Sequence, residues 1–142
     1  MQEIWKDIPK YENLYQVNIF GDIKSIAKNR RCGWKEKYLK KTPIKNQGYL
    51  TVTLYNPKLH KGPKRVKVCK CVASAFLGEA NGRQVNHIDH NRQNDQLNNL
   101  EYISAIDNTI IAFLRKIIKN NPNTYNTYIN NLVEKAKSSL DK

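Results

Sequence analysis

The pattern of apolar and polar positions predicts a β-rich N-terminal half of the chain. Residues 3–25 carry aromatic anchors and then two short alternating segments around Gly21, which together predict a hairpin. Residues 49–55 are rich in the β-branched and aromatic side chains that strands favour. Turn-forming residues at 56–63 separate this strand from a predicted partner strand at 65–68.

Helical spacing of apolar residues predicts three helices. Residues 69–77 place their apolar side chains on one face and precede Gly78, a natural helix stop. A second helix is predicted from about Ile110 to residue 120, with Asp107 as its N-cap, and a third over residues 124–140. We expect the two C-terminal helices to form a hairpin packed on the core. An oligomer contact or a DNA-facing arm is the alternative for this tail.

Residues 85–108 form an unusually polar stretch that is not ordinary core. We predict a strand at 85–88, a polar loop at 90–96, a strand at 100–104 and then the helix described above. Such a density of amide, carboxylate and imidazole groups is expected where side chains face a metal ion, a phosphate or both.

This stretch resembles the HNH nuclease motif as it occurs in phage and intron homing endonucleases. The matching residues are Asn86-His87, Asp89, Asn91, Asn94, Asn99-Leu100-Glu101 and Asn108. The resemblance implies an α+β fold with a ββα-metal (His-Me finger) nuclease core, and cleavage of DNA phosphodiester bonds. Residues 3–25 also resemble the NUMOD-type module found at the N-terminus of such enzymes, although Lys10 and Asn18 stand where that module usually has Gly and Ser.

The resemblance implies a role for each site residue. His87 is the expected general base, because imidazole titrates near neutral pH. Asn86 and Asn108 are the expected ligands of one Mg²⁺ or Mn²⁺ ion, which oxygen ligands suit. Asn99 is expected to fix the hairpin and orient His87. Alternatively, His87 is a hydrogen-bonded surface group and the loop asparagines are turn formers.

The charge of the chain favours a nucleic-acid partner. The 142 residues carry a net charge of +13, and Glu36 is the only acidic residue between Lys24 and Lys70. We expect double-stranded DNA as the partner, with salt-sensitive binding; a solvated basic face or an RNA partner is the alternative. Six basic residues are expected to contact DNA: Arg30, Arg31, Lys40, Lys41, Lys70 and Arg92.

The cysteines mark the main departure from the family pattern. The chain has three, which is not typical of a disulfide framework, and Cys69 stands at a histidine of the HNH family while Cys71 stands at a leucine. One hypothesis is a zinc site in which Cys69 and Cys71 bind the ion together with His87 and His90. Zinc is nevertheless not expected, because structural zinc sites usually pair ligands at C-x2-4-C spacing. We expect both cysteines to be buried as small apolar residues.

We expect three parts: an N-terminal module and basic segment at 1–47, the nuclease domain at 48–110, and a C-terminal helical extension at 111–142. No apolar run is long enough to span a membrane, so a soluble cytoplasmic protein is expected, in the host cell if a phage encodes it. One site per chain predicts nicking by a monomer. The rival interpretation is an HNH-like protein that binds DNA or inhibits a nuclease without cleaving.

Overall fold

The computed structural model describes residues 3–26, 28–29, 33–34 and 36–123, with backbone alone at 28–29 and 33–34. The chain divides into two compact units, residues 1–103 and 104–142. The three-part division expected from the sequence stays a prediction. Among the described helices, none combines the length and apolar character that a membrane crossing requires.

The first unit contains small antiparallel sheets. The first sheet has the strand order β1-β2-β3-β6. Its strands are β1 (Trp5–Asp7), β2 (Tyr15–Asn18), β3 (Ile23–Ser25) and β6 (Lys37–Tyr38). A short ribbon pairs β4 (Lys28–Asn29) with β5 (Gly33–Trp34). The predicted hairpin over residues 3–25 is confirmed by the antiparallel pairing of β2 with β3.

The second main sheet confirms the central strands. It contains β7 (Thr42–Pro43), β8 (Leu50–Leu54) and β9 (Lys64–Lys67) in that order. The helix α1 (Val68–Phe76) follows directly and ends before Gly78, whose φ is +83°. A helix terminates readily at a residue with positive φ, where glycine has no Cβ to clash.

The core of the first unit is built around α1. This helix contacts strands of both main sheets and the hairpin that follows it. Its inward face is fully buried through Val68, Cys71 and Val72. Strand residues complete the core on the opposite sides: Ile8, Tyr11, Val17, Ile23, Val52, Leu54 and Leu100.

The polar stretch has the predicted order of elements. Strand β10 (Gln84–His87) pairs antiparallel with β11 (Leu100–Ile103), after a loop that ends in a 3-10 turn at Leu97–Asn99. The second unit begins with α2 (Ala105–Asn120). The sequence β10, β11, α2 is the ββα order of elements expected from the resemblance.

The N-cap of α2 is a correction to the sequence prediction. Ser104, not Asp107, caps the helix, because the Ser104 Oγ accepts a hydrogen bond from the Asp107 N–H at 3.0 Å. Asp107 lies in the first turn, and its carboxylate accepts from the Ser104 hydroxyl at 2.7 Å, which holds the capping oxygen in place. The helix predicted over residues 124–140 lies outside the described residues.

Candidate functional site

The hairpin of β10 and β11 directs Asn86 and His87 to opposite faces, because side chains alternate along a strand. Asn86 lies opposite Glu101 and donates from Nδ2 to the Glu101 Oε1 at 2.7 Å. His87 lies opposite Leu100 and is only 5% exposed. The hairpin therefore presents one polar pair outward and the imidazole inward.

The imidazole of His87 is paired with a carboxylate that the motif did not single out. His87 Nε2 donates to the Asp95 Oδ1 at 2.8 Å, and Asp95 is 4% exposed. Among the described residues, the other carboxylate oxygen, Oδ2, is buried with no hydrogen-bond partner. The aromatic ring of Tyr49 lies beside the imidazole, with ring centroids 5.9 Å apart. In the sequence, Asp95 is one acidic residue in a polar loop. Nothing in that local pattern shows that it contacts His87.

Asn99 ties the polar loop together. Its Oδ1 accepts from the Asp89 N–H at 2.9 Å, while its Nδ2 donates to the Asp89 Oδ1 and to the Asn94 carbonyl. Hydrogen bonds from the Asn94 side chain and the Asn91 N–H hold the pKa of the Asp89 carboxyl below its usual value. Asn99 thus braces the loop that carries Asp95. Its predicted role in orienting His87 stays a prediction.

His90 occupies a special backbone position in this loop. Its φ is +66°, in the region that glycine tolerates best. The His90 side chain is exposed and its Nδ1 contacts the His87 carbonyl at 3.2 Å.

The turn at residues 18–22 packs against the loop that carries Asp95. The Leu97 N–H donates to the Ile19 carbonyl at 2.8 Å. At Gly21, where φ is +81°, an added Cβ would lie 3.2 Å from both Cβ and O of Asp95. Asn18 shapes this turn, because its buried Oδ1 accepts from the N–H groups of Phe20 and Asp22. This turn therefore forms one wall of the site.

Two cations flank the tyrosine beside His87. Lys67 Nζ lies 3.6 Å from the centroid of the Tyr49 ring, and the Arg92 guanidinium carbon lies 4.8 Å from it. Arg92 also donates to the Gln47 carbonyl at 2.9 Å, which fixes its direction. Lys67 and Tyr49 were not among the predicted site residues, because the sequence does not show that β8 and β9 approach the loop.

Both cysteines of α1 are buried, as predicted. Burial raises the pKa of the Cys69 thiol to about 11, with a further contribution from the Asp95 carboxylate, and that of Cys71 to about 12. The Sγ of Cys69 belongs to a cluster with His87 and Asp95 in which the potential ligand atoms lie within 4.8 Å of one another. Neither Cys71 nor His90 belongs to this cluster.

The other predicted site residues have varied environments. Arg30 and Arg31 lie outside the residues whose side chains are described. Lys40 and Lys70 are exposed, whereas Lys41 forms an ion pair with Asp22 at 2.8 Å. Asn108 lies in the first turns of α2, in the second unit, so its pairing with Asn86 stays a prediction.

The exposed pair on the hairpin fits a hard divalent ion. The Asn86 amide and the Glu101 carboxylate are joined by a hydrogen bond and supply oxygen donors, which Mg²⁺ and Mn²⁺ prefer. Glu101 also adds a negative charge that the expected pair of asparagines lacked.

The NUMOD4 motif matches residues 3–55, which include β1 to β8 and the wall behind Asp95. A solved structure on DNA binding and cleavage by the HNH homing endonuclease I-HmuI matches with a TM-score of 0.65 and 32% identity, over 80% of this chain and 59% of that one. The chain is a relative of the HNH homing endonucleases. The expected resemblance and the α+β, ββα-metal type of fold are thereby confirmed.

Curated relatives carry the name of the HNH homing endonucleases or of one of their members. I-HmuI itself, a DNA endonuclease of Bacillus phage SP01, is 34% identical over 101 residues, which are 70% of this chain and 52% of the relative. YosQ, from the SPbeta prophage of Bacillus subtilis (strain 168), has a name that assigns it to the HNH homing endonucleases and is 33% identical over 94 residues, 66% of this chain and 53% of its own. The chain thus spans about half the length of these relatives.

Proposed function

We propose that the protein is an HNH endonuclease that hydrolyses phosphodiester bonds in double-stranded DNA and nicks one strand per event. The observation that carries the proposal is the buried pair of His87 with Asp95 beside a tyrosine that is flanked by two cations. The names of the relatives support the same activity.

His87 is the proposed general base. The Asp95 carboxylate accepts from Nε2, so it fixes the ring orientation and leaves Nδ1 as the nitrogen whose lone pair accepts a proton from water. The carboxylate also stabilises the imidazolium that forms when Nδ1 takes this proton. Asp95 is therefore a positioning residue, and Asn99 acts one step further away by bracing the loop.

Lys67 and Arg92 are the proposed contacts to the DNA phosphates nearest His87. Both lie against Tyr49, whose ring limits the directions that they take. Cations near a phosphate neutralise its charge and hold the backbone in register without reading base sequence. Lys40 and Lys70, which are exposed, extend this basic surface along the duplex.

The proposed metal ligands are Asn86 and Glu101, with Asn108 as a third ligand that the resemblance implies. When bound there, Mg²⁺ or Mn²⁺ supplies Lewis-acid stabilisation of the charge on the phosphate and the leaving oxygen.

A DNA-binding protein without cleavage is the second candidate. The observation that favours it is the burial of His87, whose side chain is only 4% exposed. Such a protein would keep the basic surface and the loop. Its His87 would serve in packing and would not accept a proton from water.

Nicking of supercoiled plasmid separates the two candidates. We expect nicked circles with Mg²⁺ or Mn²⁺ and none with a chelator. His87→Ala should abolish nicking, whereas His90→Gly, which relieves a positive φ on an exposed residue, should retain it. If wild type and His87→Ala are equally inert while both bind DNA, the protein binds without cleaving.

A further inference from the structure

Three side chains with metal-binding atoms meet in the interior of the first unit. They are Cys69 from α1, His87 from β10 and Asp95 from the polar loop, and all are buried. Their potential ligand atoms lie within 4.8 Å of one another. Since the residues come from three separate elements, the fold and not the local sequence brings them together.

The carboxylate of Asp95 is only half satisfied. Oδ1 accepts from His87, but Oδ2 is buried and has no hydrogen-bond partner within the described part of the chain. Buried carboxylate oxygens in native proteins almost always have a partner. An unpartnered oxygen in this position points to a ligand that is bound part of the time.

The three donors form a set that suits a thiophilic ion. Thiolate, imidazole and carboxylate are the ligand types of Zn²⁺, and three protein ligands leave a fourth position for water. A thiolate and a carboxylate together neutralise a divalent charge, so the filled site carries no net charge into the interior. The exposed amide and carboxylate oxygens of Asn86 and Glu101 suit harder ions instead.

We propose that Cys69, His87 and Asp95 form a binding site for a thiophilic divalent cation of the Zn²⁺ class, separate from the Mg²⁺ or Mn²⁺ site of the nuclease. On binding, the Cys69 thiol releases its proton to solvent and the sulfur becomes a ligand. Nε2 is the nitrogen that faces the Asp95 carboxylate, so it would be the ligand atom, and its proton would move to Nδ1. With a proton already on Nδ1, His87 would no longer accept one from water. This inhibitory consequence rests on the proposed nuclease function, whereas the binding itself does not.

Cys71 offers a matched control on the same helix. Residues two apart on an α-helix are separated by about 200° around its axis, so the two thiols face different directions. Cys71 instead lines a small surface cavity with Ile8 and Tyr11. The zinc site considered from the sequence, with both cysteines and His90, therefore differs from the one that the fold assembles.

Equilibrium metal binding tests the proposal on the reduced full chain. Co²⁺ is titrated first, because a thiolate ligand produces a charge-transfer absorption band, and Zn²⁺ then displaces it in competition with a chromophoric chelator. All variants carry Cys32→Ser, which removes the third thiol. We expect one ion per chain to produce the thiolate band. Cys69→Ser should lose the thiolate band and weaken Zn²⁺ binding by more than about 100-fold, since loss of outer-shell partners alone costs up to that.

The control variants decide the outcome. Cys71→Ser should keep the band and the affinity, and Asp95→Asn should weaken binding even if Cys69→Ser folds poorly. Equal binding by Cys69→Ser and Cys71→Ser, or no thiolate band in a folded wild type, would overturn the proposal. Metal binding without any plasmid nicking would overturn the proposed function and leave the metal site standing.

Discussion

At the scale of single residues, the position of His87 depends most directly on Asp95. Both side chains are buried and share one hydrogen bond of 2.8 Å. Removing one partner of a buried hydrogen bond leaves the other group unsatisfied, which typically costs about 1–3 kcal/mol. A substitution that shifts Asp95 is therefore expected to shift the imidazole as well.

Gly21→Ala tests whether the position of His87 depends on Asp95, because it disturbs Asp95 without replacing either residue. The added methyl group would meet the Cβ and carbonyl oxygen of Asp95 at 3.2 Å and Val68 at 3.3 Å. We expect the free energy of unfolding to fall by more than the roughly 1–2 kcal/mol that the left-handed backbone alone costs. Nicking should fall further than the unfolded fraction explains, because Asp95 is displaced. Urea unfolding and nicking rates measure the two effects.

Gly78→Ala is the control for this substitution. Its φ of +83° is nearly the same as that of Gly21, but an added Cβ would have no atom within 4 Å. Gly78→Ala therefore has the energetic cost of the left-handed backbone but no close contact of the added methyl group. Equal losses of stability and activity in the two variants would contradict a tight contact between Gly21 and Asp95.

At the scale of elements, the loop after β10 is held by side chains rather than by a backbone ladder. The Asp89 carboxylate accepts hydrogen bonds from the Asn91 N–H and from the side chains of Asn94 and Asn99. All three donors favour the ionised carboxylate. The loop is therefore sensitive to the protonation of Asp89.

The pH dependence of stability should report this sensitivity. The pKa of Asp89 in the folded protein lies below its ordinary value of 3.8, so its contribution to stability is present above pH 3.8 and is lost as pH falls through the folded pKa. We expect wild type to exceed Asp89→Asn in free energy of unfolding at neutral pH. The difference should shrink on acidification in urea titrations. A difference that does not change with pH would rule out this role of the carboxylate.

The elements themselves could be predicted well from the sequence, because their apolar spacing was regular. Strands β8 to β11 and helix α1 all occur where the alternation or helical spacing indicated. The cap of α2 was predicted wrongly because Ser104 and Asp107 both accept backbone hydrogen bonds well. Only the geometry of the first turn shows which side chain reaches the N–H group.

At the scale of the whole molecule, the sequence predicted the motif residues but not their surroundings. The resemblance singled out His87 and Asn99 as candidate site residues, and their roles stay predictions. The partners Asp95, Tyr49 and Lys67 come from separate segments, and no local pattern reports a contact between distant segments. Similarly, the ion pair of Lys41 with Asp22 joins two distant segments, and the predicted DNA contact of Lys41 stays a prediction.

The net charge of +13 predicts steeply salt-dependent DNA binding. Each neutralised phosphate contributes about −0.9 to the slope of log affinity against log salt. Arg92→Gln should make this slope less negative by about that amount. Arg83→Gln is the control. The Arg83 guanidinium also lies over a tyrosine ring, 5.2 Å from the centroid of Tyr102, but this tyrosine is not the one beside His87. Equal slopes for the two variants would contradict a phosphate contact at Arg92.

The central claim is that His87 acts as a base while Asp95 holds its ring. Single-turnover nicking by His87→Gln tests it most directly, because the glutamine amide keeps a donor for Asp95 but does not accept a proton from water. The account predicts unchanged DNA affinity and a nicking rate lower by about 100- to 10,000-fold, the usual contribution of a general base. A folded His87→Gln variant that nicks at the wild-type rate, or a wild type that binds DNA and leaves it intact with both Mg²⁺ and Mn²⁺, would contradict it.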